Sequence, residues 1–265
     1  MAEISATLVK ELRDRTGAGM MDCKRALQDA NGDVDAAVVQ LREKGMASAA
    51  KRAGRETTEG RVAVRAADDH ATIVGVGCET EPVSKNEEFL AFVEKVLDVV
   101  DASGADAAAE LDEERTGLSA KLGENIAIAG AARFTAVDGG IFGVYVHPPA
   151  EKLGVLVQVR GGSEELARQL AMHVSWANPQ WTTREDVPAD LVATEREIYE
   201  NSDEVQSKPE QARDKIVEGM LNKRYFGVNV LAEQEWIHDS SKTVGQALTE
   251  EGAEVLEFER FSVAG

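Results

Sequence analysis

Hydrophobic residues in the first 45 positions recur every three to four residues, which predicts three short helices. Ser5 can cap the first helix, and the small residues 16–19 end it. The second helix runs from about Met20 to a stop at residues 31–32, and the third starts at Asp33 or Asp35 and ends at Gly45. The apolar faces of these helices carry Leu8, Val9, Leu12, Cys23, Leu27, Val34, Val38 and Leu41.

After a basic, small-residue stretch at 47–60, interpreted as a linker or a helical extension, the hydrophobic period shortens to two. A strand begins at Arg61, and further strands are predicted at 71–78, 126–134, 141–147, 153–160 and 254–263. Helices are predicted at about 85–101, 106–122 and 163–175. Because the order of elements recurs after residues 138–140, the pattern indicates a loose duplication, with helices on one face of a largely antiparallel sheet.

Two more helical segments, 188–201 and 211–225, lie before the last strand and are separated by Ser207-Lys208-Pro209. Their apolar residues could form the seam of an antiparallel helical hairpin that projects from the sheet: Ile198, Ile216, Met220 and Leu221. A packed pair of core helices fits the same pattern, and the sequence does not decide between the two.

The predicted fold class is therefore α+β, with an N-terminal three-helix domain similar in outline to a ubiquitin-associated domain. We place this domain at residues 1–52, a first core subdomain at 53–136 and a second at 137–265. The helical, coiled-coil-like hairpin is an insertion in the second subdomain at about 188–226. The strands of the core are expected to be mostly antiparallel.

The excess of acidic residues limits the kinds of partner that the chain can bind. The chain has 265 residues, of which 48 are acidic and 29 basic, so the formal net charge is -19. Such a surface repels phosphate backbones and anionic lipid, which argues against nucleic acid or a membrane as the primary partner. Simple solubility, or adaptation to salt, also explains the acidity. No secretory signal or apolar run of about 20 residues is recognisable, and two isolated cysteines fit a reducing cytoplasm.

Motifs for catalysis or cofactor binding are not found in the sequence. Residues 17–19 lie between two helices rather than after a strand, so they do not form a phosphate-binding loop. The four histidines are spread singly, without the spacing of metal ligands. Cys23 and Cys78 are interpreted as small buried residues. We therefore expect no metal, no cofactor and no enzymatic activity, and favour recognition of another macromolecule.

Several long segments closely resemble signatures of the bacterial elongation factor Ts family. The first is residues 12–27, LRDRTGAGMMDCKRAL, and the second is residues 78–89, CETEPVSKNEEF. Shorter matches follow in the family's order, at residues 121–126, 154–157, 171–174 and 241–245. The likeness covers nearly the whole chain. It implies a small helical domain, two related α+β subdomains and an inserted helical hairpin, as the periodicity also predicts.

The resemblance implies guanine-nucleotide exchange on elongation factor Tu, the translational GTPase. The family binds the GDP-bound GTPase, disturbs its Mg²⁺ and phosphate sites, and lets GDP leave so that GTP can enter. This is a coupling between two binding equilibria and needs no covalent chemistry from the factor. The sequence leaves open whether the chain and the GTPase form a higher-order complex.

The residues implied to contact elongation factor Tu fall in five segments. They are Arg13, Met20, Met21, Lys24, Thr80, Glu81, Pro82, Val83, Leu122, Gly123, His147, Ile237 and His238. Alternatives remain for several of them. The two methionines could belong to the core of the N-terminal bundle, His147 could be an ordinary surface residue, and Glu81 could only stabilise a helix N-terminus.

This sequence departs from the family at the segment that the resemblance assigns to the Mg²⁺ side of the GTPase. Where the family has Thr-Asp-Phe, the chain has Thr80-Glu81-Pro82, and the aromatic ring that wedges between two GTPase helices is missing. Residues 129–130 are Ala-Gly, where many relatives have two arginines. A non-exchanging scaffold or chaperone of the GTPase is therefore an alternative. An enzyme using Glu81 and His147 as an acid–base pair is a weaker one.

Overall fold

The structure is a computed structural model that describes residues 4–263. Its helices are α1 (Ala6–Thr16), α2 (Met20–Asp29), α3 (Val34–Arg52), α4 (Glu81–Ser84), α5 (Glu87–Ser103), α6 (Asp112–Leu122), α7 (Glu164–Ala177), α8 (Ala189–Glu200), α9 (Asp203–Gln206), α10 (Glu210–Met220), α11 (Gly227–Asn229) and α12 (Val244–Glu250). The strands are β1 (Glu59–Ala66), β2 (His70–Cys78), β3 (Ala127–Thr135), β4 (Gly140–Val146), β5 (Leu153–Arg160) and β6 (Glu254–Ser262). The α+β class predicted from the sequence is confirmed.

The first three helices form a bundle whose ends follow local capping rules. The Ser5 side chain accepts the N–H of Leu8 at the start of α1, and Gly17 ends that helix in the left-handed conformation, with φ of 69°. The Asp33 side chain caps α3 by accepting the N–H of Ala36. The bundle encloses its own small core: Val9, Leu12, Cys23, Ala26, Leu27 and Ala37.

The end predicted for the third helix at Gly45 is wrong, because α3 continues to Arg52. Gly45 serves packing rather than termination: a Cβ placed on it would lie 2.9 Å from the Cβ of Ala120 on α6. The missing side chain lets α3 approach α6 closely. Arg52, in the last turn of α3, donates to the carbonyl of Ser119 on α6 at 3.1 Å. The bundle therefore packs directly against the core.

The core repeats one topology twice, in two separate three-stranded antiparallel sheets. One sheet has the order β1-β2-β3 and the other β4-β5-β6. In each unit a hairpin leads to a long helix, α5 or α7, and the third strand then pairs with the middle one. The duplication expected from the sequence is present, although the single sheet that we expected is two.

The two sheets pack face to face, and each long helix covers the outer face of its own sheet. On β2 the side chains of Val74 and Val76 point to α5, while Ile73 points to the second sheet. On β5, Val157 points to α7, while Leu156 joins Ile73 between the sheets. Both middle strands are therefore buried on both faces, which explains their long apolar runs.

Residues 187–230 form a helical unit with a hydrophobic core of their own. Helices α8 and α10 pack on each other, with the short α9 between them, and a π-helical turn at Leu221–Phe226 continues α10. The buried side chains are Val187, Val205, Val217, Met220, Leu221, Phe226 and Val230. This agrees with an inserted helical hairpin, but Ile198 does not lie in its seam, since 56% of this residue is exposed. The boundaries of the domains remain predictions.

No helix within residues 4–263 is long and apolar enough to cross a membrane.

Candidate functional site

The predicted contact residues of the N-terminal bundle lie on its surface. Met20 and Met21 begin α2 and are 45% and 67% exposed, so they do not belong to the bundle's core. Arg13 and Lys24 are exposed as well. Two unbranched apolar side chains on the surface form a patch that suits contact with a protein, since methionine adapts to irregular apolar surfaces.

The segment Thr80-Glu81-Pro82 starts a one-turn helix rather than forming an open turn. Thr80 precedes α4, whose first turn contains Glu81 and Pro82, and all three residues are exposed. Proline is accommodated there because the first N–H groups of a helix have no partner within it. Val83 is half-buried and packs against the core beneath α5. The tip is thus accessible while its base is anchored.

The charge on Glu81 is already engaged within the chain. Its carboxylate accepts the Lys85 ammonium at 2.6 Å, and this hydrogen bond and charge lower the pKa of Glu81 below its usual value. Both side chains are exposed, so the pair is weak and can be exchanged for contacts with a partner.

The predicted loop at Leu122-Gly123 lies beside Thr80. Gly123 ends α6 in the left-handed conformation, with φ of 78°, which turns the chain toward β3. The next residue, Glu124, accepts the backbone N–H groups of Glu79 and Thr80, each at 3.0 Å. Two segments whose contacting residues, Thr80 and Glu124, are 44 positions apart in the chain therefore meet at one surface.

The bundle reaches the same region through its first loop. A Cβ on Gly17 would lie 2.7 Å from Cε of Lys121, so the α1–α2 loop passes directly over the end of α6. The Lys121 ammonium is held by the Glu88 carboxylate at 2.6 Å. The structure therefore places the α1–α2 loop and the start of α4 next to the end of α6, and α2 begins directly after that loop.

His147, Ile237 and His238 form a second group, on the second subdomain. His147 and Ile237 line an open cleft of about 1050 Å³. The His147 Nδ1 lies 2.9 Å from the Tyr145 hydroxyl. The ring of His238 packs edge-on against Trp236, with 4.8 Å between centroids. These residues come from the end of β4 and from the loop between α11 and α12, and they share one surface.

Sequence reasoning missed Trp176, which lines the same cleft and is 75% exposed. It lies in the last turn of α7, off the buried face of that helix, which consists of Leu166, Ala167, Leu170, Ala171, His173 and Val174. A large aromatic residue at a polar-face position was the signal available in the sequence. Val228 of α11 also lines the cleft and is exposed.

A buried histidine supports the loop that carries Ile237. The N–H of Ile237 donates to Nδ1 of His173 at 3.4 Å, so that nitrogen is unprotonated and Nε2 donates to Oε1 of Gln234 at 2.9 Å. Gln234 in turn donates to the carbonyl of Val228 at 2.6 Å. Burial lowers the pKa of His173, which keeps the ring neutral.

Metal-binding and nucleophilic groups are not assembled at these surfaces. In the described part of the chain, no group of three or more His, Cys, Asp or Glu side chains could hold a metal ion. Both cysteines are buried, as predicted. Burial raises the pKa of Cys78 to about 12, so this thiol stays protonated and is a poor nucleophile. What the surfaces offer is apolar and charged contact area.

Comparison with known proteins identifies the family of this chain. The model of the family described as "Elongation factor TS" matches residues 79–265. Proteins named "Elongation factor Ts" from Erwinia tasmaniensis, Escherichia coli K12 and Shigella boydii are each 42% identical over 267 aligned positions, which cover 99% of this chain and 92% of the relative. The chain belongs to the elongation factor Ts family.

Proposed function

We propose that this chain is the guanine-nucleotide exchange factor of elongation factor Tu in translation elongation. It binds the GDP-bound GTPase and promotes GDP release by disturbing the Mg²⁺ and phosphate site. The observation that carries the proposal is the exposed start of α4, Thr80 to Pro82, in a chain that matches the family over nearly its whole length. The chain supplies contacts and no covalent chemistry, so it is not an enzyme.

Two contact surfaces have different roles in exchange. The first comprises Met20 and Met21, the start of α4 and residues 122–123, and it approaches the nucleotide side of the GTPase. The second is the cleft around His147 and Ile237, with His238 at its rim, and it binds a separate part of the GTPase. Binding at the second surface supplies free energy that the first uses to distort the nucleotide site. Only interactions that differ between the GDP-bound and nucleotide-free forms shift the equilibrium.

Pro82 changes how the first surface acts. A proline ring is smaller than a phenyl ring and cannot fill the same gap between two helices of the partner. Glu81 keeps a negative charge on a longer arm than aspartate. The anchored base of α4 still allows the tip to be presented without a large ordering cost, because Val83 is packed against the core. Exchange in this chain therefore relies more on charge and backbone placement than on an aromatic wedge.

The test is release of a fluorescent GDP analogue from the cognate elongation factor Tu, followed by stopped flow over a range of factor concentrations. The proposed function predicts that the release rate rises with factor and reaches a plateau well above the intrinsic rate. The alternative, a scaffold or chaperone that holds the GTPase, predicts binding without faster release. Turnover of GTP by the isolated chain would instead indicate an enzyme. The two buried thiols suit the reducing cytoplasm in which translation takes place.

A further inference from the structure

The start of α4 is held by one carboxylate from a distant part of the chain. Oε2 of Glu124 accepts the N–H groups of Glu79 and Thr80 at 3.0 Å, and Oε1 accepts the Thr80 hydroxyl. These backbone groups lie between the end of β2 and the first turn of α4, where neither ladder nor helix supplies an acceptor. Glu124 therefore replaces the missing secondary-structure partner.

A second glutamate makes the corresponding contact in the other direction, from the end of β2 to the loop after α6. Oε1 of Glu79, just beyond β2, accepts the N–H of Asn125 at 2.6 Å, in the loop between α6 and β3. Each loop thus sends a glutamate to the backbone of the other. We call this arrangement of Glu79 and Glu124 the carboxylate clamp. Hydrogen bonds to ionised acceptors are shorter and stronger than neutral ones, so the clamp fixes the two loops together.

The clamp also reaches the segment that follows the N-terminal bundle. Nδ2 of the buried Asn125 donates to the carbonyl of Arg55 at 2.7 Å. The Arg55 guanidinium lies 3.3 Å from Oε2 of Glu79, which offsets the repulsion between the two glutamates. Three segments are therefore joined by one network: the chain after α3, the start of α4 and the loop after α6.

We propose that Glu124 is a positioning residue for exchange, acting through the carboxylate clamp with Glu79. The clamp holds Thr80 to Pro82 at a fixed place relative to the bundle, so that the tip resists displacement when it meets the GTPase. This inference rests on the proposed function. A loosened tip can still dock, because the methionines and the cleft remain, but it yields instead of distorting the nucleotide site. Loss of the clamp therefore lowers the maximal release rate more than the affinity.

The experiment compares Glu124→Gln with the wild-type chain and with Glu110→Gln. The Glu124→Gln amide keeps one oxygen for the two N–H groups, but it removes the negative charge and the acceptor atom to which the Thr80 hydroxyl donates. Glu110 is an exposed carboxylate of the same chain, so its variant controls for the loss of one negative charge. Two quantities are measured: GDP release from elongation factor Tu against factor concentration, and amide hydrogen exchange of the free protein. The melting temperature of each variant is measured alongside.

The positioning role predicts that Glu124→Gln lowers the plateau release rate about tenfold or more, as for the loss of a charged hydrogen bond. The half-saturating concentration should change less than about threefold, and Glu110→Gln should behave as wild type. In the free protein, the amides of Glu79 and Thr80 should exchange about tenfold faster, while the amide of Ile73, within β2, keeps its protection. Glu79→Gln acts on the other side of the clamp. In the double variant, the loss of plateau release rate should be smaller than the product of the two single losses, because both residues act through the same clamp. Glu79→Gln also provides the same test if Glu124→Gln does not fold.

Three results would overturn the inference. A wild-type plateau rate in Glu124→Gln, despite faster amide exchange at Thr80, would show that a fixed tip is not needed. Unchanged amide exchange at Thr80 would show that the clamp does not hold it. If the wild-type chain itself does not accelerate GDP release, the proposed function fails and the positioning role fails with it. The amide measurement then still shows whether the clamp exists.

Discussion

Nε2 of His173 lies 2.9 Å from Oε1 of Gln234, inside the second subdomain, and both side chains are buried. The pair joins the middle of α7 to the loop that presents Ile237. A protonated imidazole would lose the hydrogen bond that Nδ1 accepts from the Ile237 N–H. The loop is therefore built around a neutral histidine.

Stability should depend on pH through His173. Burial lowers the pKa of this residue in the folded state, whereas the unfolded value is about 6.5. The unfolded chain therefore binds the proton first, so this contribution to stability is fully present above about pH 6.5 and is lost as pH falls below it. The slope for one proton is at most about 1.4 kcal/mol per pH unit. Urea unfolding at pH 7.5 and 5.5 should show a smaller loss in His173→Gln than in the wild-type chain. An equal loss in both would mean that another group is responsible.

Replacing Ile237 with Ala should weaken binding to elongation factor Tu by about 1–2 kcal/mol, the usual effect of a central apolar contact. The residue is 39% exposed in the free chain, so the melting temperature of the variant is measured alongside to separate loss of binding from loss of stability. Ile198→Ala provides the matched control, because it removes the same atoms from an exposed position on α8. Isothermal titration of each variant into the GTPase gives the affinities. Equal affinities for the two variants would place the cleft outside the interface.

The paired substitution of Met20 and Met21 by Ala should weaken binding about tenfold and leave the melting temperature unchanged. Both side chains are exposed on the bundle, so shortening them removes little packing within the chain and mainly affects contacts with a partner. Val39→Ala, at an exposed position on α3, is the control for loss of surface apolar area on the same bundle. If the double variant binds as tightly as Val39→Ala, the start of α2 is not a contact.

The double substitution Glu81→Asp with Pro82→Phe restores the usual family triplet. A phenyl ring at residue 82 should raise the plateau rate of GDP release, because it fills space that proline leaves. The first turn of α4 tolerates the change, since the added N–H faces no intrahelical acceptor. Glu81→Ala with Pro82→Ala should depress the rate instead. Wild-type rates in both folded variants would mean that another element disturbs the nucleotide site.

The sequence was sufficient for the succession of elements, but not for their packing. Period and capping gave the helices and strands, because these signals are local. Gly45 was misjudged, since a glycine near the end of a helical pattern is typical of a stop, whereas here it lets α3 approach Ala120. The apolar run of β5 shows burial on both faces, but does not reveal that Leu156 faces a second sheet rather than a helix. Such contacts join residues that are far apart in the sequence, so a local pattern does not reveal them.

For the candidate site too, the sequence predicted the segments but not how they pack together. Motif resemblance located its segments, and the structure then showed which of them lie together. Exposure of Met20 could not be deduced, because methionine is common both in cores and on surfaces. The grouping of His147 with Ile237 depends on how β4 and the loop after α11 pack around α7. The contact of Glu124 with Thr80 has no local signature in the sequence.

Binding of this chain to elongation factor Tu should be coupled to the binding of GDP. This coupling is tested most directly by measuring the affinity of elongation factor Tu for GDP with and without the chain, and the affinity of the chain for the GDP-bound and nucleotide-free GTPase. Coupling requires the same ratio in both measurements. We expect a ratio of about tenfold or more, with GDP and the chain each weakening the binding of the other. Equal affinity of the chain for both forms of the GTPase would contradict it.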